Sequence, residues 1–303
     1  MHAYGVNPVV ATSLYKKIVL PCLMYGSELW NNLRQQDHTE LNKLQHHVVK
    51  KIQGFEITVR SDMCESMVGL NPITAEIDKL LTLKPASISK QIFIRKMYMF
   101  LTGRPIPQTG FIPDICNILS KYHLCDFLNQ FLQTLNVPTP SHFKRLIKTT
   151  LFDTEVAAWR NRVNQCGDYV RFKNLHQRIE TAVIYTLRRP ARNANTIRHI
   201  ARLWVMKPTN MSMCPDCEGL VTDRLYHTIF GCQITSRKTS LFLQQLTISF
   251  PAIVRHLPFT DGEAMLHILL GKMPEIDVEE EHLSLFTNTC FDFIQNMTSS
   301  FFG

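Results

Sequence analysis

The run Cys214-Pro215-Asp216-Cys217, followed after nine intervening residues by His227 and after four more by Cys232, has the residue types and spacing to hold a metal ion. Two cysteines separated by two residues on a tight turn can aim both sulfurs at one centre. A histidine and a cysteine five positions apart can approach from about one helical turn. Three thiolates and one imidazole suit tetrahedral Zn2+. With all four positions filled none is left for water, so the site is expected to be structural rather than catalytic. Pro215, Asp216 and Gly219 supply the loop. The competing reading is a degenerate remnant that no longer takes metal. Cys22, Cys64, Cys116, Cys125, Cys166 and Cys290 are scattered singly and read as small buried residues.

Other chemistry finds little footing. The sequence has no Gly-rich phosphate loop, no GxSxG, no HExxH and no EF-hand loop. It has no Asp-Asp pair, whereas two-metal nucleotidyl transfer needs carboxylates that converge on the ions. Glu279-Glu280-Glu281 reads as a solvated helix start, favoured by the helix dipole. No catalytic residue is assigned, and no small-molecule substrate is evident.

The charge is uneven along the chain. Between Arg171 and Lys207 there are nine Lys/Arg and one acid, while from Asp261 onward there are eight acids and one lysine. A basic block directly before a metal site reads as a nucleic-acid surface. The candidate phosphate contacts are Arg188, Arg189, Arg192, Arg198, Arg202, Lys207, Arg237 and Lys238. The alternative is that these arginines form a solvated helix face or pair with the acidic tail.

The elements that must position these groups read as mainly α. Asn7-Pro8 starts a helix that Pro21 should bend or end. Asp37 to Glu40 is a capping-box variant before Leu41, Leu44, Val48, Val49 and Ile52, closed by Gly54. Further helices are expected over 61–68, from Asn71-Pro72 to Pro85, and over 88–101, 122–135, 142–165, 169–187, 195–206, 236–246, 261–272 and 279–296. Gly103 to Pro107 and Gly110 to Pro113 read as loop. Strand signals are limited to a ribbon at the metal site and a short piece near Phe55 to Val59. The expectation is a helical multi-domain chain with a small zinc-stapled CCHC module near its C-terminus. Its parts are 1–102, a connector 103–209 carrying the basic block 171–207, the module 210–235, and a helical tail 236–303, acidic from 261.

The longest apolar run, Ile18 to Tyr25, is broken by Pro21 and falls short of a membrane span, and the N-terminus lacks a signal-peptide layout. Nine cysteines without a framework suit a reducing compartment. An intracellular location, nuclear or cytoplasmic, is therefore expected.

The stretches Gly5-Val6-Asn7-Pro8, Leu14-Tyr15-Lys16-Lys17-Ile18-Val19-Leu20-Pro21 and Leu23-Met24-Tyr25-Gly26-Ser27-Glu28-Leu29-Trp30 resemble the segment just after the polymerase palm in non-LTR retrotransposon (LINE-type) reverse transcriptases. The helix at 41–51 with Ile52-Gln53-Gly54, and Val68-Gly69-Leu70 with Ile73, Ala75, Glu76 and Ile77, continue the likeness. Cys214 to Cys232 is similar to the CCHC region such proteins carry near the C-terminus. The resemblance covers about residues 1–102 and 200–245. It implies a thumb-like helical region, RNA or DNA as partner, and a catalytic palm with its Tyr-x-Asp-Asp motif lying upstream. On that reading the chain is a C-terminal fragment of an RNA-directed DNA polymerase, with the polymerase part missing or supplied by another polypeptide. The alternative is a structural or protein-interaction remnant.

Overall fold

A computed structural model describes residues 6–27, 30, 33–83, 111–126, 130, 139–186, 194–207, 211–273 and 276–302. Helix dominates, and the ribbon of β1 (Ser212–Met213) with β2 (Leu220–Val221) is the one sheet among the described residues. The helices are α1 (Pro8–Leu14), α2 (Leu20–Leu23), α3 (Gln35–Gln53), α4 (Ser61–Met67), α5 (Ile73–Leu83), α6 (Phe111–Lys121) and α7 (Pro140–Asn164). They continue as α8 (Val170–Leu175), α9 (Val183–Thr186), α10 (Ala194–Trp204), α11 (Arg224–Tyr226), α12 (Ser236–Ser249), α13 (Pro251–Val254), α14 (Gly262–Leu269) and α15 (Glu280–Met297).

Local chemistry accounts for most of these starts and stops. The Asn7 side chain accepts the Val9 N–H at 2.8 Å, capping α1. Pro21 does not end the segment. A π-helical turn over Tyr15–Val19, closed by Leu20 N–H to the Tyr15 carbonyl, widens the backbone just before it, and α2 carries the proline in its first turn. Helix α3 begins two residues before Asp37, whose carboxylate reaches back to the Arg34 N–H at 2.9 Å. Gly54, at φ +70°, closes it as expected.

Several expectations are corrected. Phe55 to Val59 forms turns rather than a strand, with Phe55 N–H bonded to the Lys50 carbonyl at 2.9 Å. Residues 111–113 are helical, because Pro113 sits in a first turn, where its missing N–H leaves no bond unmade. That helix stops at Lys121. His123 takes φ 56° and Leu124 N–H returns to the Leu119 carbonyl at 2.7 Å, so Tyr122 lies in a turn. The stretch 169–187 is not one helix. After α8, His176 is extended, Thr181 bridges Val68, and Ala182 N–H bonds the Met67 carbonyl at 2.7 Å before α9 begins. Pairing with the end of α4 replaces the helical bonds there. The expected helix at 88–101 and loop at 103–107 lie outside the described residues.

The chain forms two compact units. One comprises residues 13–49 and 70–161. Its core joins Ile73, Ile77 and Leu81 of α5, Ile115, Ile118 and Leu119 of α6, and Ile147 and Leu151 of α7, with Met24, Tyr122 and Leu124. Gln45, fully buried on α3, accepts from the Tyr15 hydroxyl at 3.3 Å and donates to the Asn71 carbonyl at 2.8 Å.

The other unit comprises residues 1–12, 50–69 and 162–303 and contains the cysteine cluster. Helix α10 buries Ile197, Ile200, Leu203 and Trp204, and packs against α15, which buries Phe286, Phe291 and Ile294. The Trp204 indole N–H donates to the Leu270 carbonyl at 2.9 Å. Gln53, fully buried, donates to the Cys64 carbonyl at 2.8 Å and accepts from the Tyr185 hydroxyl at 2.7 Å. Gly69, at φ +63°, lies against residues 180–181 so closely that a Cβ would stand 2.7 Å from the Thr181 nitrogen.

Candidate metal centre and basic surface

The ribbon and the helix after it bring the predicted ligands together. Ser212 pairs with Val221 and Met213 with Leu220, which sets Cys214 and Gly219 at the mouth of the turn. Cys214 N–H bonds the Gly219 carbonyl and Glu218 N–H the Cys214 carbonyl, each at 2.9 Å. Glu218 takes φ 59°, the left-handed turn that lets Cys217 fold back toward Cys214. The buried face of the ribbon carries Val221, while Met213 and Leu220 stand exposed on the other.

Helix α11 is capped by Asp223, which accepts the Tyr226 N–H at 3.0 Å. The same carboxylate accepts from the buried Arg171 guanidinium at 2.5 Å, so α8 holds the start of α11 in place. The chain then makes a π-turn over His227–Gly231, closed by Cys232 N–H to the His227 carbonyl at 2.6 Å. The wider turn places His227 and Cys232 on one side although they are five positions apart. It also leaves carbonyls without helical partners. The Thr235 hydroxyl donates to the Thr228 carbonyl and the Thr239 hydroxyl to the Ile229 carbonyl, both at 2.6 Å.

The donor atoms of Cys214, Cys217, His227 and Cys232 all lie within 4.8 Å of one another. Cys214 Sγ and Cys232 Sγ are 4.0 Å apart, and Cys217 Sγ is 3.2 Å from His227 Nε2. A tetrahedral zinc with ~2.3 Å bonds to sulfur sets its donors at roughly 3.8 Å, so the set is of the right size for a metal ion. Its electrostatics act on the thiols in opposite directions. Burial opposes ionisation of Cys232, but the Thr235 and Ile234 N–H groups and the Cys217 thiol help to outweigh it, and the thiol comes down to about 6. At Cys217 the Gly219 N–H pulls downward, and burial with the Cys214 and Cys232 thiols leaves it raised. A bound cation relieves that repulsion among neighbouring thiolates.

The candidate basic residues fall into different settings. Arg188, Arg189 and Arg192 lie outside the described residues. Arg198, on α10, donates to the Val6 carbonyl at 2.5 Å, and its pKa is lowered by burial. Arg202 donates through Nε to the Gly54 carbonyl at 2.9 Å and sets its guanidinium 5.6 Å from the Phe302 ring centre. Lys207 is exposed with Nζ 5.3 Å from the Tyr169 ring centre. Arg237 and Lys238 are exposed in the first turn of α12, which begins four residues after Cys232. Among the described residues, side-chain hydrogen bonds between α10 and the tail are made by Thr196 with Gln295 and by His199 with Thr298.

Sequence reasoning missed Asp223, Arg171, Thr235 and Thr239. Asp223 carries a legible signal, an N-cap residue three positions before Tyr226. Arg171 is distant in sequence, and nothing local announces it. Comparison with protein families, with curated proteins and with solved structures finds no match for this chain.

Proposed function

We propose that this chain is a nucleic-acid-binding, zinc-containing part of a non-LTR retrotransposon reverse transcriptase, belonging to the region after the palm and holding no polymerase site of its own. The observation that carries this reading is the Cys214, Cys217, His227 and Cys232 cluster, with four donors within 4.8 Å. Exposed Arg237 and Lys238 stand on the helix that follows it. Three sulfurs and one imidazole nitrogen favour Zn2+ over the oxygen-seeking Mg2+ and Ca2+. Zinc here supplies folding energy, on the order of 10 kcal/mol to the module. RNA or DNA is the partner, contacted through phosphates, and the polymerase part acts upstream or in trans.

Metal analysis and a salt titration test this together. About one zinc per chain is expected by the four-ligand count, falling sharply in Cys217→Ser. Unchanged metal content in that variant rejects the ligand assignment. Affinity for labelled RNA or DNA should fall steeply with salt, in proportion to the phosphates neutralised. Absent binding at low salt, or binding indifferent to salt, rejects the nucleic-acid reading. Primer extension by this chain alone should be negative.

A second reading, a structural or protein-interaction remnant, is favoured by Arg198 and Arg202, whose donors meet the Val6 and Gly54 carbonyls. On that reading metal content is retained while the salt-dependent binding is lost.

A further inference from the structure

After α15 the chain turns at Thr298 into a short 3-10 helix, Ser299–Phe302, and lays two aromatic rings against arginines of the unit that holds the cysteine cluster. Phe301 lies under the Arg224 guanidinium, 4.2 Å from its carbon. Phe302 lies beside Arg202 at 5.6 Å and meets the His199 ring edge-on at 5.1 Å. Thr298, fully buried, anchors the turn through a 2.6 Å hydrogen bond to His199 Nε2. The two arginines are positioned differently. Arg202 is fixed by its bond to the Gly54 carbonyl, and Arg224 opens the helix that leads into His227. Arg224 Nε is buried and meets no acceptor among the described residues.

We propose that His199, Arg202 and Arg224 form a stacking site for unpaired nucleobases, and that Phe301 and Phe302 occupy this site from within the same chain. This rests on the nucleic-acid reading above and deepens it. A guanidinium plane accepts any π-face, and a base offers the same face as a phenyl ring. A nucleotide adds a phosphate, which the two cations favour and a phenylalanine lacks. In a duplex both faces of each base are covered by its neighbours, so the ligand class is single-stranded nucleic acid. The two rings then compete with that ligand, and its apparent affinity is reduced by the fraction of molecules in which the rings are seated.

The test is fluorescence anisotropy with a short labelled single-stranded oligothymidine and a duplex of equal length, on the zinc-loaded full chain. F301A/F302A should bind the single strand roughly five-fold or more tightly, with a smaller change for the duplex. Adding R202A and R224A should remove the gain. F301L/F302L keeps apolar packing without the π-face and should show a gain of the same sign if the alanine variant folds poorly. Suppose the wild type binds but neither ring variant binds more tightly, with zinc content and circular dichroism unchanged. The competition is then overturned while the nucleic-acid reading stands. If no variant binds either probe at low salt, both fall.

Discussion

His176 shows how one buried side chain ties this fold to pH. It is 4% exposed, with the Phe172 ring centre at 5.5 Å and that of Trp204 at 6.3 Å. Burial lowers its pKa to about 4, against a hydrogen bond to the Ser66 backbone that raises it. An unfolded histidine titrates near ~6.5, so between these values the unfolded chain binds the proton and the folded chain does not. Stability is therefore full above the unfolded pKa and falls as pH drops toward about 4. The loss at the acid end is roughly 3 kcal/mol. Urea unfolding at pH 7.5 and pH 5 with zinc in excess should show a smaller difference for His176→Phe than for the wild type. Parallel losses in the two proteins would remove His176 as the cause. Gln53 makes a second residue-scale case, since its amide serves both the Cys64 carbonyl and the Tyr185 hydroxyl. Gln53→Leu leaves two buried groups unpaired and should cost about 2–4 kcal/mol in chemical denaturation. A change under ~0.5 kcal/mol would mean that water reaches both groups.

Among the elements, those with strong local punctuation were legible in the sequence. Asn7-Pro8 and Gly54 mark helix limits that the structure keeps, and the helices expected over 61–68 and from Asn71-Pro72 onward form as α4 and α5. The ribbon at the cysteine cluster was also legible, from the loop residues Pro215, Asp216 and Gly219 that its two strands flank. What failed depends on distant partners. Residues 176–182 leave helical geometry because they pair with the end of α4, more than a hundred positions earlier. The two π-turns failed for a different reason, because helical periodicity does not distinguish a turn with one residue added. The members of the Cys/His cluster could therefore be read from spacing, while the π-turn that aligns His227 with Cys232 could not. Gly69 offers a test at this scale. Gly69→Ala adds a Cβ against the Thr181 backbone at a positive φ and should cost about 2–4 kcal/mol, read as a lower urea midpoint. An unchanged midpoint would show that the bridge at Val68 and Thr181 contributes little.

For the whole molecule, the decisive feature is that the unit holding the cysteine cluster is assembled from three stretches of chain. Its core takes Met63 and Met67 from α4, Ile184 and Tyr185 from α9, and Phe286 and Phe291 from α15. Basic and acidic blocks that look separate along the sequence meet here as α10 against α15, with neutral side-chain hydrogen bonds among the described residues. Charge patterning located both blocks but not their packing, because apolar burial rather than ion pairing decides it.

That interleaving has a consequence for fragment complementation. A polypeptide of residues 162–303 contains all four residues of the Cys/His cluster but lacks α4, Gln53 and Gly69. It is expected to bind zinc in the ribbon while leaving the Tyr185 side of its core open, and so to expose apolar surface to a hydrophobic dye. A synthetic peptide of residues 50–69, added in trans, should close that surface and quench the dye, with half-saturation reporting the affinity of one part of the chain for the other. Dye signal unaffected by the peptide would mean that these twenty residues are held in place by chain connectivity alone.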